Sequence, residues 1–427
     1  MKNKRALVLL FAAHMISSFA QGITMLAIPW YFTSVVNQSE LFGKVLALAT
    51  VLSVFWSLYA GTLIDRYPRK NIFWFTALAG LLCMGSIAAY GSQTDEMPIA
   101  LVALAFVVTF FGYNIHYPNL YAFAQELAAR GDYGRVNSMI EVVGQSTSVL
   151  SGAVGAILLS GTTTGGINLM GMHVKLPFEI AQWELWEIFM LDASTYLAAA
   201  CIIPFIRYQR MAELKVDLEP VLARLKKGVR FLTANRGLLM FGLASYATFI
   251  VLLVQVMYLL PLYIDRQLLS GADVYASSEV YFALGSLCAG LFIRSLTKHM
   301  APAKAIVILM IGAGLLFLAV SAVQSVSFFY VFSLLLGFSN AGTRIIRVTY
   351  LFDHIPNNII GRANSIFYLY NILMRSVLLS VFSLAFFSFE NNVVWAYAIC
   401  GMFILAALVP MVRIMPRLKN MQVVEVE

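Results

Sequence analysis

The sequence predicts an all-α integral membrane protein with twelve transmembrane helices in two parallel six-helix halves. The first observation is composition: 60% of the 427 residues are hydrophobic and 12% are charged, whereas a soluble domain carries about 25% charged residues. The second is a repeat. The hexamer at 134–139 returns at 361–366, 227 residues later, with four identical positions. A repeat of about half the chain length indicates two parallel halves.

Further matches keep the same order and nearly the same offset. They pair 29–31 with 261–263, 60–64 with 289–293, and Glu126 with Asp353. The slow drift in offset is what differences in loop length between the halves would produce. The first half is therefore expected at 1–206 and the second at 237–413.

Twelve stretches are long enough to cross a bilayer, which takes about 20 mostly apolar residues. We number them spans 1 to 12 in chain order. They are expected at 6–34, 41–63, 71–91, 98–124, 136–160, 186–206, 237–262, 275–296, 302–322, 326–350, 362–388 and 391–413. The basic linker 207–236 is expected to form an amphipathic helix on the membrane surface, and 414–427 a cytoplasmic tail.

The distribution of charge predicts the orientation. Most of the 29 lysines and arginines fall on one side of the predicted spans, and Lys44, Lys175 and Arg266 fall on the other. The positive-inside rule then places both termini on the cytoplasmic side of a bacterial inner membrane.

The first apolar stretch is too long for the 7–15-residue core of a signal peptide, so we interpret it as span 1. The net charge of +8 is explained by this asymmetry and does not indicate nucleic-acid binding.

No motif of an enzyme, a metal site or a cofactor site is present. The sequence has no HExxH, no glycine-rich phosphate loop and no nucleophile elbow. Its four cysteines lie inside apolar stretches and form neither a disulfide framework nor a zinc pattern. We expect no enzyme activity, no cofactor, no metal and a monomer.

The longest outer loop, 161–185, contains glycine and then aromatic and acidic residues. It is either an extracytoplasmic cap or an interfacial belt with Trp183 and Trp186 at headgroup level.

Polar residues inside the spans are the functional candidates, because burying them in lipid costs several kcal/mol. Span 1 carries His14, Ser18, Gln21 and Met25 on one helical face. Spans 1, 4, 7 and 10 would share one environment in a two-fold arrangement, and all four carry polar residues. We expect a central aqueous cavity lined by His14, Gln21, Asn114, His116, Gln255, Asn340, Arg344, Asn371 and Arg375. For each residue alone, an interhelical hydrogen bond is the alternative.

Charged residues inside spans need partners. Arg375 lies about 20 Å into its predicted helix and needs an anion, either Glu141, Asp192, Glu279 or substrate. Glu141 is either a proton carrier, together with His14, or the structural partner of an arginine. Asp192, close to Ser194 and Thr195, is expected to belong to a locally satisfied polar cluster.

The loop 61–70 after span 2 carries a glycine, a carboxylate and a basic cluster. Gly61 would let the end of the helix pack tightly against a neighbour, and Asp65 can meet a helix N-terminus. Its basic residues are Arg66, Arg69 and Lys70. A positive-inside loop would explain the basic residues but not Gly61 and Asp65 together.

At this loop the chain resembles the major facilitator superfamily, whose motif is Gly-x-Leu-Ala-Asp-Arg-x-Gly-Arg-Lys. Gly61, Leu63, Asp65, Arg66, Arg69 and Lys70 match, whereas Ile64 and Pro68 depart. The stretch 65–70 and the stretch 116–120, with Asn137 and Gln145, are similar to the branch of macrolide efflux proteins and the enterobactin exporter. The family's span 5 antiporter motif is not intact, because no proline follows Gly155. Glu141 after Asn137 is also similar to the pattern in bacterial lysophospholipid transporters.

The resemblance implies a secondary active transporter that works by alternating access. We expect a proton-coupled exporter, an antiporter in efflux of amphipathic drug-type or siderophore-type small molecules; the alternative is a lysophospholipid or lipid transporter. A non-transporting membrane sensor is a third possibility, and sodium is a second possible coupling ion. The resemblance also implies that Asp65 latches onto the N-terminus of span 11 at 361–364, with Arg362 as a candidate contact. The second latch would use Glu126 or Asp132 near Arg135.

Overall fold

The computed structural model describes residues 3–94, 96–128, 132–162, 166–169, 171–175, 179–208, 221–356 and 359–419. Within these residues, twelve helical stretches are long and apolar enough to cross a membrane. They are Lys4–Val35, Ser39–Arg66, Arg69–Gly91, Ile99–Leu127, Tyr133–Ser160, Leu185–Phe205, Arg236–Arg266, Ala272–Thr297, Pro302–Ala322, Val326–His354, Ile360–Phe382 and Val393–Lys419. The prediction of an all-α membrane protein with twelve spans is confirmed.

The helix starts follow capping chemistry in the sequence. The Asn3 side chain accepts from the Ala6 amide at 3.1 Å and begins span 1. Glu184 and Glu187 form a reciprocal capping box at the start of span 6, and Pro302 takes the first position of span 9. Each device satisfies, or removes, an amide that would have no partner in the first turn.

Two spans are less regular than the hydropathy pattern predicts. Span 7 is broken at Tyr246 and contains a π-helical turn at Gln255–Leu259, just before Pro261. Proline cannot donate to the carbonyl four residues earlier, and the helix widens beside it. Span 11 was expected to reach residue 388 but ends at Phe382. The Ser383 hydroxyl donates to the Ser380 carbonyl at 3.0 Å and competes with the next helical turn.

The polypeptide forms two compact units, which are described separately. The first unit comprises 1–38, 51–216 and 271–280. In it, span 1 packs against spans 4, 5 and 6, and span 3 packs against spans 4 and 6. Fully buried Leu120, Phe123 and Val136 lie in its main hydrophobic core.

The second unit comprises 39–50, 217–270 and 281–427. Span 9 packs against spans 10 and 12, and span 7 packs against spans 10, 11 and 12. Spans 9 and 12 approach closely at two glycines: a Cβ added to Gly401 would lie 2.8 Å from the Gly314 carbonyl oxygen. One division between the units, at 216/217, falls inside the predicted linker, but 39–50 belongs to the second unit and 271–280 to the first. The predicted boundaries of the two sequence halves therefore stay a prediction.

Smaller elements lie between the spans. A one-turn helix, Ala385–Ser388, follows span 11. Strands β1, Gly166–Leu169, and β2, Met172–Lys175, form an antiparallel hairpin in the long outer loop. A helix at Val221–Ala234, called the linker helix below, lies in the predicted linker and packs against the start of span 11.

Candidate functional site

A pair of histidines from spans 1 and 4 lies inside the first unit. His14 Nδ1 is 2.9 Å from His116 Nε2, and the Ser18 hydroxyl lies 2.9 Å from the same His14 nitrogen. The Phe73 ring meets the His116 ring edge-on, with centroids 4.9 Å apart. His14 is 1% exposed. Two of the cavity candidates predicted from the sequence are therefore in direct contact.

The histidines border a small cavity. Its volume is about 40 Å³, and roughly 10–15 Å³ of this measure suffices for one water molecule. Polar side chains line it from spans 1, 4 and 6: His14, Ser17, Gln21, His116 and Tyr196. For His14, Gln21 and His116, the predicted place in a central aqueous cavity stays a prediction; in this structure they line a cavity within the first unit.

The expectation that Asp192 belongs to a locally satisfied cluster with Ser194 and Thr195 is wrong. Its neighbours on the helix do not satisfy its carboxylate: the Ser194 hydroxyl donates to the Leu191 carbonyl and the Thr195 hydroxyl to the Asp192 backbone carbonyl. The Thr24 hydroxyl of span 1 donates to Asp192 Oδ2 at 3.1 Å. Asp192 Oδ1 is buried without a hydrogen-bond partner among the described residues.

Tyr196, one turn after Asp192, is held by two contacts. The Gln21 amide donates to its hydroxyl at 3.4 Å. Its ring lies over Gly80 of span 3, where an added Cβ would be 2.8 Å from the ring. Sequence reasoning missed Tyr196, Thr24 and Gly80. The i, i+4 spacing of Asp192 and Tyr196 was the available signal.

Spans 7 and 11 of the second unit hold a separate group of buried polar atoms. Asn371 is 2% exposed, and its Nδ2 has no hydrogen-bond partner among the described residues. The same holds for Arg375 Nε, one turn further along span 11, and for the Thr248 hydroxyl of span 7. Buried polar atoms are paired in most proteins, so such a group calls for water, an ion or a ligand.

Another buried arginine was assigned to no site by the sequence. Arg347 of span 10 is 3% exposed. Its Nη1 donates to the Ser245 carbonyl at 2.8 Å, and its guanidinium lies 3.8 Å from the centroid of the Tyr246 ring. Ser245 and Tyr246 are the residues where span 7 breaks. Arg347 thus donates a hydrogen bond to a carbonyl that loses its helical partner at the break.

The remaining cavity candidates take different positions. Gln255, in the π-helical turn, and Asn340 are buried, at 2% and 8% exposure. Arg344 is exposed. The Asn114 side chain is half-buried and donates to the Phe110 carbonyl of its own helix at 2.8 Å. The Asn114 amide is therefore satisfied within its own helix, and this bond needs neither a cavity nor a neighbouring span.

The basic residues of the loop after span 2 fasten neighbouring helices of the first unit. Arg69 Nη1 lies 3.0 Å from Glu126 Oε1 and donates to the Ala122 carbonyl at 2.8 Å. Lys70 donates to the Pro204 carbonyl at the end of span 6, at 2.8 Å. A cation near carbonyls at a helix C-terminus is favourable. Glu126, expected in a second latch, pairs with Arg69.

For the other predicted gate and coupling residues, the described contacts provide no evidence of a gate or a coupling role. The side chains of Asp65 and Glu141 lie outside the described residues. Among the described residues, a Cβ at Gly61 would meet nothing within 4 Å, so the tight packing expected there is absent from the part of the chain that the structure describes. Arg66, whose guanidinium lies 5.8 Å from the Tyr67 ring centroid, and Arg135 are exposed.

The start of span 11 is in contact with the linker helix. An added Cβ on Gly228 would lie 2.8 Å from the Arg362 carbonyl oxygen. Arg362, a predicted latch residue, is half-buried.

A larger cavity of about 620 Å³ lies in the first unit beside the outer loop. Trp30, Tyr31, Trp183 and Trp186 contribute to its lining, as do Glu96 and Glu184. The Trp186 indole donates to Glu184 at 3.0 Å. Trp183 of the outer loop and Trp186 at the start of span 6 therefore border a ligand-sized space.

Within the described residues, no group of three or more His, Cys, Asp or Glu side chains is placed to hold a metal ion. The described polar clusters are suited to hydrogen bonding, proton transfer and the binding of small polar or charged groups.

Comparisons with known proteins agree with this architecture. No curated protein matches the chain. The nucleoside transporter NupG superposes with a TM-score of 0.68 at 12% identity, over 98% of this chain and 100% of its own. A bacterial homologue of the iron transporter ferroportin, in the inward-facing state, gives a TM-score of 0.69 at 13% identity, over 96% and 98%. The POT family transporter PepTSo gives 0.73 at 11% identity, over 99% and 100%.

At these identities the structures show a shared fold and leave the substrate open, since their named substrates differ. The family profile of the Major Facilitator Superfamily matches residues 10–379, which is most of the chain. With its twelve spans, this chain is a multi-pass membrane protein that belongs to the Major Facilitator Superfamily.

Proposed function

We propose that the chain is a proton-coupled exporter of amphipathic or aromatic small molecules, working by alternating access as a monomer in a bacterial inner membrane, with both termini in the cytoplasm. Family membership supports transport of a small molecule. The narrower proposal, export of amphipathic molecules, is supported by the similarity of 65–70 and 116–120 to macrolide and enterobactin exporters. It is also supported by the buried polar and aromatic side chains described next.

The observation that carries the proposal is the polar group of spans 7 and 11. Asn371 Nδ2 and Arg375 Nε are donors, and neither has an acceptor among the described residues. A guanidinium in a membrane span is expensive and marks a functional site by default. An amphipathic substrate with an acceptor or anionic group would satisfy both donors.

The aromatic residues of the second unit support an amphipathic or aromatic substrate. The rings of Tyr246 and Phe367 stack 5.9 Å apart, next to buried Arg347. Phe241 and Tyr350 form a further pair at 4.3 Å. Phe241, Tyr350 and Phe367 are buried in helix packing. The partly exposed Tyr246 ring, next to a fixed guanidinium, suits a ligand with both an apolar body and a polar group.

Inside-out vesicles carrying an imposed proton gradient provide the test. A pH-reporting dye is followed while cationic dyes, macrolides, catecholate siderophores and lysophospholipids are added in turn. We expect one class to dissipate the gradient. Arg375→Ala should lower this flux at least about tenfold, and Arg413→Ala, which removes an exposed arginine near the end of span 12, should leave it unchanged.

Glu141→Gln tests the predicted coupling residue in the same assay. Loss of proton movement with normal expression would support a role for Glu141, alone or with His14. Failure of every compound class to move protons in the wild type would contradict the proposal.

Lipid transport is the second candidate, favoured by the 620 Å³ cavity. Its mixed lining of tryptophans and carboxylates suits the headgroup region of an amphipathic lipid. Labelled lysophospholipid that crosses the vesicle membrane without any proton movement would favour this function. Trp183→Ala should then slow crossing, whereas Trp56→Ala, outside the cavity, should not.

A further inference from the structure

Asp192 is a buried carboxyl group with no counter-charge among the described residues. It is 0% exposed, and one of its two oxygens has no hydrogen-bond partner there. Transferring an isolated ionised carboxylate into apolar surroundings costs far more than transferring a neutral polar group. The position therefore calls for a proton or another small cation.

The groups that face Asp192 are neutral. Span 6 packs against spans 1 and 3. Span 1 contributes Thr24 and Gln21, and Tyr196 lies one turn along the same helix. Span 3 contributes the Cys83 thiol, which interacts electrostatically with Tyr196. Hard metal cations take about six or more oxygen ligands, whereas Asp192 and Thr24 supply few, so a proton fits best.

A polar face of span 1 leads away from this carboxyl group. His14, Ser18, Gln21 and Thr24 follow one another at three- and four-residue spacing, which places them on one side of the helix. About ten residues of helix from Thr24 to His14 span about 15 Å. That is roughly half of the ~30 Å hydrocarbon core of a bilayer.

Tyr196 follows Asp192 by one helical turn and borders the same small cavity as the two histidines. Because Gln21 donates to the Tyr196 oxygen, the tyrosine keeps its own hydrogen for an acceptor elsewhere. The 40 Å³ cavity is bordered by Tyr196, His14 and His116 and has room for water. An imidazole can accept a proton on one ring nitrogen and release one from the other, and these two are already in contact at 2.9 Å.

We propose that Asp192 is a proton-binding carboxyl group of this transporter, in addition to the predicted coupling residue Glu141. Tyr196, water in the small cavity and the His14–His116 pair carry protons to and from it. In binding, one carboxylate oxygen forms an O–H bond with a proton delivered through this chain. In release, the same bond breaks and the proton returns. The coupling role rests on the proposed function; proton binding at Asp192 can be tested without it.

Carbodiimide labelling tests proton binding directly. Dicyclohexylcarbodiimide reacts with protonated carboxyl groups in apolar surroundings. The full-length protein in phospholipid vesicles is treated over a pH series, and peptides are mapped by mass spectrometry. We expect an adduct on Asp192 that declines as pH rises. It should be absent in Asp192→Asn and unchanged in Ser194→Ala, an exposed position on the same helix.

Two further variants address the environment of the carboxyl group. Thr24→Val removes a hydrogen bond that favours the ionised form, so labelling should persist to a pH about one unit higher. His116→Gln keeps the carboxyl group but removes a relay nitrogen, so it should leave the labelling curve of Asp192 in place and slow proton movement in the vesicle assay. No adduct on Asp192 at any pH in the wild type would overturn the proposal.

Transport assays distinguish a failure of this inference from a failure of the proposed function. Asp192→Asn should lose gradient-driven transport but keep downhill exchange of substrate. If Asp192→Asn pumps as well as the wild type, the coupling role is wrong. If the wild type moves no protons with any compound while Asp192 still labels with the expected pH dependence, the proposed function fails and proton binding stands.

Discussion

Arg69 and Glu126 form an ion pair of 3.0 Å between the start of span 3 and the last turn of span 4. The same guanidinium donates to the Ala122 carbonyl, and the Asn119 amide donates back to the Arg69 carbonyl at 3.0 Å. Two helices of the first unit are thus fastened by several hydrogen bonds. This gives the arginine of the family motif a structural role within one unit, whatever role Asp65 has.

Replacing Arg69 by alanine should destabilise the protein. The side chains of Arg69 and Glu126 are 22% and 9% exposed, so the loss should be about 1–3 kcal/mol, below the roughly 3–5 kcal/mol for a fully buried pair. Thermal unfolding of the purified protein in detergent measures this. Arg66→Ala, an exposed arginine of the same loop, should stay within about 0.5 kcal/mol. Equal midpoints for the two variants would contradict the prediction.

Gly80 should not tolerate alanine, because a Cβ there would lie 2.8 Å from the Tyr196 ring. The ring must move, which weakens its hydrogen bond with Gln21. We expect a loss of about 1–3 kcal/mol and a change in the pH dependence of Asp192 labelling. Gly85→Ala is the matched control on the same helix, where the added Cβ would be 3.8 Å from the Ala193 Cβ. If both variants behave alike, Gly80 does not position Tyr196.

These contacts show where sequence reasoning succeeds and where it ends. Hydropathy found all twelve spans, because each helix must bury about 20 apolar residues. The His14–His116 contact was within reach, since both residues stood out as polar groups in apolar helices. Asp192 was misjudged because its partner, Thr24, is 168 residues away and a lone threonine in an apolar helix carries no signal. Arg69 looked like part of a positive-inside loop, and only the structure shows its pairing with Glu126.

Arg347 should stabilise the break in span 7. Its hydrogen bond to the Ser245 carbonyl and its contact with the Tyr246 ring fix a segment whose helical hydrogen bonds are interrupted. Arg347→Ala should raise amide hydrogen exchange at 242–249 several-fold. Arg344→Ala removes an exposed arginine one turn away and should leave this exchange unchanged. Unaltered protection in Arg347→Ala would show that packing alone holds the break.

The linker helix should detach from span 11 when Gly228 is enlarged. An added Cβ would lie 2.8 Å from the Arg362 carbonyl oxygen, and backbone cannot move aside as a flexible side chain can. Gly228→Val should therefore displace and loosen the linker helix. Its basic residues Lys226, Lys227 and Arg230 are exposed, and trypsin cleaves them faster when the backbone is no longer held in a packed helix. Limited proteolysis should show linker cleavage several times faster than in the wild type.

Gly361→Ala is the control for this prediction at the other side of the contact. Nothing lies within 4 Å of an added Cβ at Gly361, and alanine is a better helix former than glycine by about 1 kcal/mol. Its cleavage rate should match that of the wild type. Equal rates in Gly228→Val and Gly361→Ala would mean that the linker helix is not held by its close approach to Arg362. Faster cleavage in Gly228→Val alone, with unchanged thermal unfolding of the spans, would assign the effect to local release of the linker helix.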